Sequence, residues 1–68
     1  MKEYVYQSTM ASVGADSIQI RLQEYGFQTP YSIRSEENRL IVEFLSEINT
    51  EEVMMLDLAF GSFLYIRY

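Results

Sequence analysis

The chain has 68 residues, ten acidic against five basic side chains for a net charge of −5, and neither cysteine nor histidine. One hydrophobic core fits this length and two do not, since so short a chain buries only about 60% of the surface it exposes when unfolded. Disulfides are excluded, as are the usual zinc, haem and iron–sulfur ligands, and the acidic balance opposes non-specific attraction to phosphate backbones.

Residues 1–68 therefore read as a single domain, with oligomerisation as the remaining means of stabilising a small scaffold. No apolar run exceeds four residues, as at 53–56, against the roughly 20 that a membrane-spanning helix needs. The first residues pass directly into a strand pattern with no apolar leader, so a cytoplasmic setting is expected.

Residues 2–9 carry Tyr4, Val5 and Tyr6 among polar neighbours and predict a strand. From residue 11 the period changes. Ala11, Ala15, Ile18, Leu22 and Tyr25 recur at the spacing of one helix face, with Ser12 placed as N-cap. Gly26 suits the left-handed residue that ends a helix, so this one should stop at Tyr25, with Phe27 packing back on Leu22.

Across residues 27–34, Phe27, Thr29, Tyr31 and Ile33 alternate with polar residues, and Pro30 puts this strand at a sheet edge. A polar turn at 35–38 leads into an apolar central strand at 39–45, which completes a hairpin. Asn49 as N-cap, Glu52 as its capping-box partner and Ile48 stapled to Val53 then open a helix, with acids in the first turn to suit its dipole. It runs to about Phe60, Gly61 ends it, and residues 62–68 return to a strand.

The order strand, helix, strand, strand, helix, strand is similar to that of ferredoxin-like α+β domains, a two-layer sandwich with two helices on one face of a four-stranded antiparallel sheet. RNA-recognition domains, amino-acid-sensing regulatory domains and peptidoglycan-binding domains of division proteins share this topology. An RNA-recognition domain carries aromatics on its third strand, where this chain offers Ile41 and Glu43 outward.

One sheet face of such a domain is covered by helices and the other is open. Strand alternation sends Leu40, Val42, Phe44, Leu64, Ile66, Phe27, Tyr31 and Ile33 inward. On the first strand Val5 is taken as inward, although the opposite parity fits nearly as well. The open face is then expected to hold Tyr4, Tyr6, Ile41, Phe63 and Tyr65, with Lys2, Arg34, Arg39 and Arg67 beside them. A second surplus surface lies on the later helix, where Met54, Met55 and Leu58 fall roughly opposite the stripe of Val53, Leu56 and Phe60.

Catalytic, metal-ligating and cofactor-binding residues are expected to be absent. No nucleophile has an adjacent base, and the one lysine is Lys2. Glu43, Glu47, Glu51 and Glu52 lie close in sequence but lack the spacing and turn glycine of a calcium loop, so they read as solvated, dipole-favoured acids. The expectation is a small acidic, non-enzymatic protein-binding or regulatory module, a homo-oligomer through its aromatic open face or a binder of a protein partner. Two other readings stand beside it: single-stranded nucleic-acid binding on that face, and an acidic mimic that inhibits a nucleic-acid-handling protein.

Overall fold

The computed structural model describes residues 2–8 and 13–68. The elements are β1 (Lys2–Gln7), α1 (Ala15–Glu24), β2 (Ser32–Glu36), β3 (Arg39–Phe44), α2 (Thr50–Gly61) and β4 (Ile66–Arg67). They form one antiparallel sheet in the order β2-β3-β1-β4, with both helices on one face: a ferredoxin-like α+β domain. No helix among the described residues is long and apolar enough to cross a membrane.

The core lies between sheet and helices. Val42, Ile18, Leu22, Leu56, Ala59 and Phe60 have no exposed surface, and Leu40 and Phe44 join them from β3. Phe27, Tyr31 and Ile33 pack against this cluster from the expected side. Two aromatic groups extend it: Tyr4, Phe27 and Tyr31 around Phe44 at one end, and Tyr6 and Tyr65 around Phe60 at the other.

Helix α1 starts at Ala15 behind Gly14, which offers no side-chain cap. The expected start at Ala11 and Ser12 lies outside the described residues. The helix ends as anticipated. Gly26 takes a φ of 79°, the Gly26 N–H bonds to the Gln23 carbonyl and the Phe27 N–H to the Leu22 carbonyl, the paired bonds of a Schellman motif.

The edge strand β2 covers residues 32–36, later than the expected 27–34, because Pro30 keeps the preceding stretch out of the ladder. Glu36 faces Arg39 across a two-residue loop, Glu37 and Asn38, in which Glu37 has a positive φ of 41°.

Helix α2 opens with the complete capping box. The Glu52 N–H donates to Asn49 Oδ1 at 2.8 Å and the Asn49 N–H to Glu52 Oε1 at 3.0 Å. The Thr29 hydroxyl also donates to Glu52, tying the α1–β2 connection to the helix start. These two hydrogen bonds, Thr29 first, lower the Glu52 pKa.

At its far end α2 runs through Gly61 instead of stopping there. The left-handed residue is Leu64, with φ 68°; its N–H bonds to the Gly61 carbonyl and the Tyr65 N–H to the Phe60 carbonyl, a second Schellman motif. This terminus absorbs Ser62 and Phe63, so β4 is two residues long where seven were expected.

Leu64 is 60% exposed, so its side chain contributes little burial to offset a conformation that disfavours a Cβ. Leu64→Gly should raise the unfolding free energy by about 1 kcal/mol, read as a higher urea midpoint at unchanged m-value. The sign of the Glu52 effect is equally definite. A carboxylate whose folded pKa lies below its unfolded value stabilises fully above about pH 4.3 and loses that contribution as pH falls through the folded pKa. Thermal melts of the wild type should decline in this acid window more steeply than those of Glu52→Gln.

Candidate interaction surface on the open sheet face

Tyr6 is an inward core residue with 1% of its surface exposed, not part of the open face. Its ring lies parallel to Phe60 at 3.8 Å between centroids, and its hydroxyl donates to Asp57 Oδ1 at 2.6 Å. Asp57 in turn accepts from Arg67 Nε at 3.1 Å and Nη2 at 3.3 Å. The Tyr6–Asp57–Arg67 network thus joins β1, α2 and β4 along one side of the helix layer. Burial, then the Asp57 hydrogen bond, pushes the Tyr6 pKa far up.

Tyr4, on the same side of β1, packs edge-on against Phe44. Tyr65 is also buried, edge-on to Phe60, and its hydroxyl donates to the Val13 carbonyl at 3.1 Å. Phe63 is half-buried against the core, with the Arg21 guanidinium 5.0 Å from its ring centroid. The expected open-face group of Tyr4, Tyr6, Phe63 and Tyr65 is therefore inverted. The rings are long enough to fill the gap between sheet and helices, and the buried hydroxyls reach partners at its rim.

The inversion carries the basic residues with it. Lys2 alternates with Tyr4 on the helix side, 5.9 Å from that ring, and Arg67 faces Asp57. Arg34 and Arg39 remain on the open face. Leu64 and Ile66, expected inside, are 60% and 75% exposed.

The register builds the open face in rows. Val5 faces Ile41, which faces Arg34; Glu3 faces Glu43, which faces Ser32; Gln7 faces both Arg39 and Ile66. Ile41 lies where expected but is 4% exposed, set apart from the main core under its neighbours on this face. The like-charged pair Glu3 and Glu43 would repel without Arg34, whose Nη1 lies 3.4 Å from Glu3 and 3.2 Å from Glu43 while its Nε reaches Glu36 at 3.2 Å. The Glu36 hydrogen bond and then the charges of Glu43 and Glu3 raise the Arg34 pKa. One half of the face thus holds three carboxylates around one guanidinium.

The β4 side instead carries exposed apolar side chains. Leu64, Ile66 and Tyr68 line an open groove of about 300 Å³ with Gln7, Ser8 and Arg67. Tyr68 is 84% exposed, with the Arg39 guanidinium 5.3 Å from its ring centroid. The side-chain Oε1 of Gln7 is buried there without a hydrogen-bond partner among the described residues. At the opposite edge of the sheet Pro30, Tyr31, Phe44 and Leu45 frame a second depression, of about 280 Å³, in which Leu45 is the strongly exposed apolar side chain.

The α2 surface is narrower than its sequence suggested. Met54 and Leu58 point to solvent one turn apart, while Met55 is half-buried in a depression beside Phe27 and Thr29. They lie on the helix layer, away from the open sheet face. Of the four acids, Glu43 is paired with Arg34 and Glu52 serves the helix cap, and no group of three or more possible metal ligands occurs among the described residues.

No protein-family model, no curated protein and no solved structure matches this chain. The fold assignment rests on its own topology.

The tyrosine environments set a pH dependence. Burial raises the pKa values of Tyr31 and Tyr65 as well as that of Tyr6. A group whose folded pKa exceeds its unfolded value keeps its stabilising effect below about pH 10 and loses it as pH rises further. Urea midpoints should hold between neutral pH and about pH 9 and fall above pH 10. Tyr6→Phe should reduce that alkaline slope and cost about 1 kcal/mol at neutral pH through the lost bond to Asp57.

Proposed function

We propose that the chain is a small non-enzymatic protein-binding module whose contact surface is the open sheet face beside β4. The observation that carries this reading is the strip of Leu64, Ile66 and Tyr68, three exposed apolar side chains around one groove. Single exposed apolar residues are ordinary on a protein surface, whereas a contiguous group marks an interaction site. A chain with no histidine or cysteine and one lysine is also short of groups for acid–base or nucleophilic work, which favours binding over catalysis.

Nucleic-acid binding on this face has weaker support. Tyr4, Tyr6 and Tyr65 lie against the helices, which leaves Tyr68 as the exposed ring of the face, and Glu3, Glu36 and Glu43 oppose phosphate. A surface held for a partner contributes little to the fold itself. Ile66→Thr and Tyr68→Thr should each change the unfolding free energy by no more than about 0.5 kcal/mol. Together they should abolish retention of the chain on a hydrophobic-interaction column, and any concentration-dependent rise in mass seen by light scattering. Losses of about 2 kcal/mol with unchanged retention would show that the strip serves the fold, and the reading would fall.

A further inference from the structure

The face that carries the strip is charged asymmetrically, and the asymmetry bears on what covers it. Across the face from Leu64, Ile66 and Tyr68 stand Glu3, Glu36 and Glu43, with Arg34 shared among all three, while Arg39 is laid against Tyr68 and Arg67 lines the groove. A second copy would bring the same three carboxylates and another net charge of −5. Two copies therefore approach with like net charge, which slows their encounter. A cationic partner meets the opposite situation.

From this charge pattern we infer that the open face docks a basic amphipathic segment of a foreign protein. Its apolar side would lie on Leu64, Ile66 and Tyr68, and its lysines or arginines on Glu3, Glu36 and Glu43. The inference rests on the reading of this face as a contact surface and adds the chemistry of the occupant. A single helix fits the space: about 14 residues span about 21 Å, within the 28 × 24 Å extents of the domain. It would cover the sheet as α1 and α2 cover the other side, by laying an apolar stripe in a groove.

Two further observations belong to the same groove. Leu64 holds a left-handed backbone and leaves its side chain 60% exposed, which presents an apolar group beside Ile66. Gln7, which lines the groove, keeps a buried Oε1 acceptor without a partner among the described residues, which a small side-chain movement on docking could satisfy.

The test is a two-dimensional amide NMR titration of the whole chain with three synthetic peptides of about 14 residues. One has leucines and lysines in amphipathic helical order, one has glutamates in place of the lysines, and one has the leucine–lysine composition scrambled. The amphipathic leucine–lysine peptide should shift the amides of Val5, Arg39, Ile41 and Ile66, with an affinity that falls as salt rises. Ile66→Asp, and the pair Glu3→Gln with Glu43→Gln, should each weaken it about tenfold. Leu64→Gly is the informative control. It should melt higher than the wild type yet bind several-fold more weakly, which separates a role in docking from a role in folding.

Equal binding of the leucine–glutamate peptide at the same amides would overturn the charge inference and leave the contact surface standing. So would a stable dimer of the free chain whose mass falls to that of a monomer in Ile66→Asp. Equal binding of the scrambled peptide would reduce the effect to general adsorption and overturn the inference. Shifts confined to the Met54 and Leu58 region would overturn both the inference and the reading beneath it. Absence of any shift at millimolar peptide would overturn the inference alone, the strip itself being judged by the retention and stability of the Ile66→Thr and Tyr68→Thr variants.

Discussion

The stacking of Tyr6 on Phe60, fixed by the Tyr6 hydroxyl on Asp57, decides what every other surface of this domain can be. A parallel stack at 3.8 Å is less favourable electrostatically than an offset or edge-on pair, so it needs holding. The hydroxyl bond to Asp57 and the edge of Tyr65 against the other ring of the stack, Phe60, hold it. Because side chains alternate along a strand, placing Tyr6 inward also places Tyr4 inward and sends Glu3, Val5 and Gln7 to the open face. Arg67 closes the same network from β4 and thereby turns Ile66 outward. One aromatic contact thus sets the parity of two adjacent strands.

That parity was the least legible part of the sequence, and the reason lies in the chemistry of tyrosine. Its ring is as much at home in a core as a leucine, and its hydroxyl is as much at home in water as a serine, so alternation of Tyr4, Val5 and Tyr6 supports either frame. The deciding clue is long-range. Asp57 is an isolated acid in the otherwise apolar stretch from Val53 to Phe60, and its partners are 51 and 10 residues away. By contrast, the α2 start was readable because Asn49 and Glu52 satisfy each other within one turn. Gly26 was readable for a related reason: a left-handed helix terminator without a Cβ is a local matter.

The second helix terminus shows where a local rule misleads. Gly61 looks like a terminator and is an ordinary helical residue, while Leu64, which has no propensity for the role, takes the left-handed position. Tertiary packing outweighs local preference there. Ending three residues later lets Phe63 pack against the core beside Arg21 and delivers Tyr65 to Phe60. Burying Tyr65 and about half of Phe63, where a fully buried side chain is worth about 1.5–3 kcal/mol, outweighs the one or two that a left-handed leucine costs. The shortened β4 follows.

The same balance explains why the open face divides into unlike halves. At the β2 side, charged residues on an edge strand guard its free backbone groups against pairing with another sheet, and Arg34 neutralises enough of Glu3, Glu36 and Glu43 for the strands to lie together. At the β4 side, the strand is too short to need such protection, and its side chains are free to be apolar. A domain of this size has little stability to spare, and an exposed apolar strip adds risk of aggregation without adding to the core. The net charge of −5 counters that risk in solution, because like-charged copies repel before their strips can meet. On the proposed reading, an acidic chain with an apolar groove gains selectivity in this way, since the same charge that separates its copies draws a partner of the opposite sign.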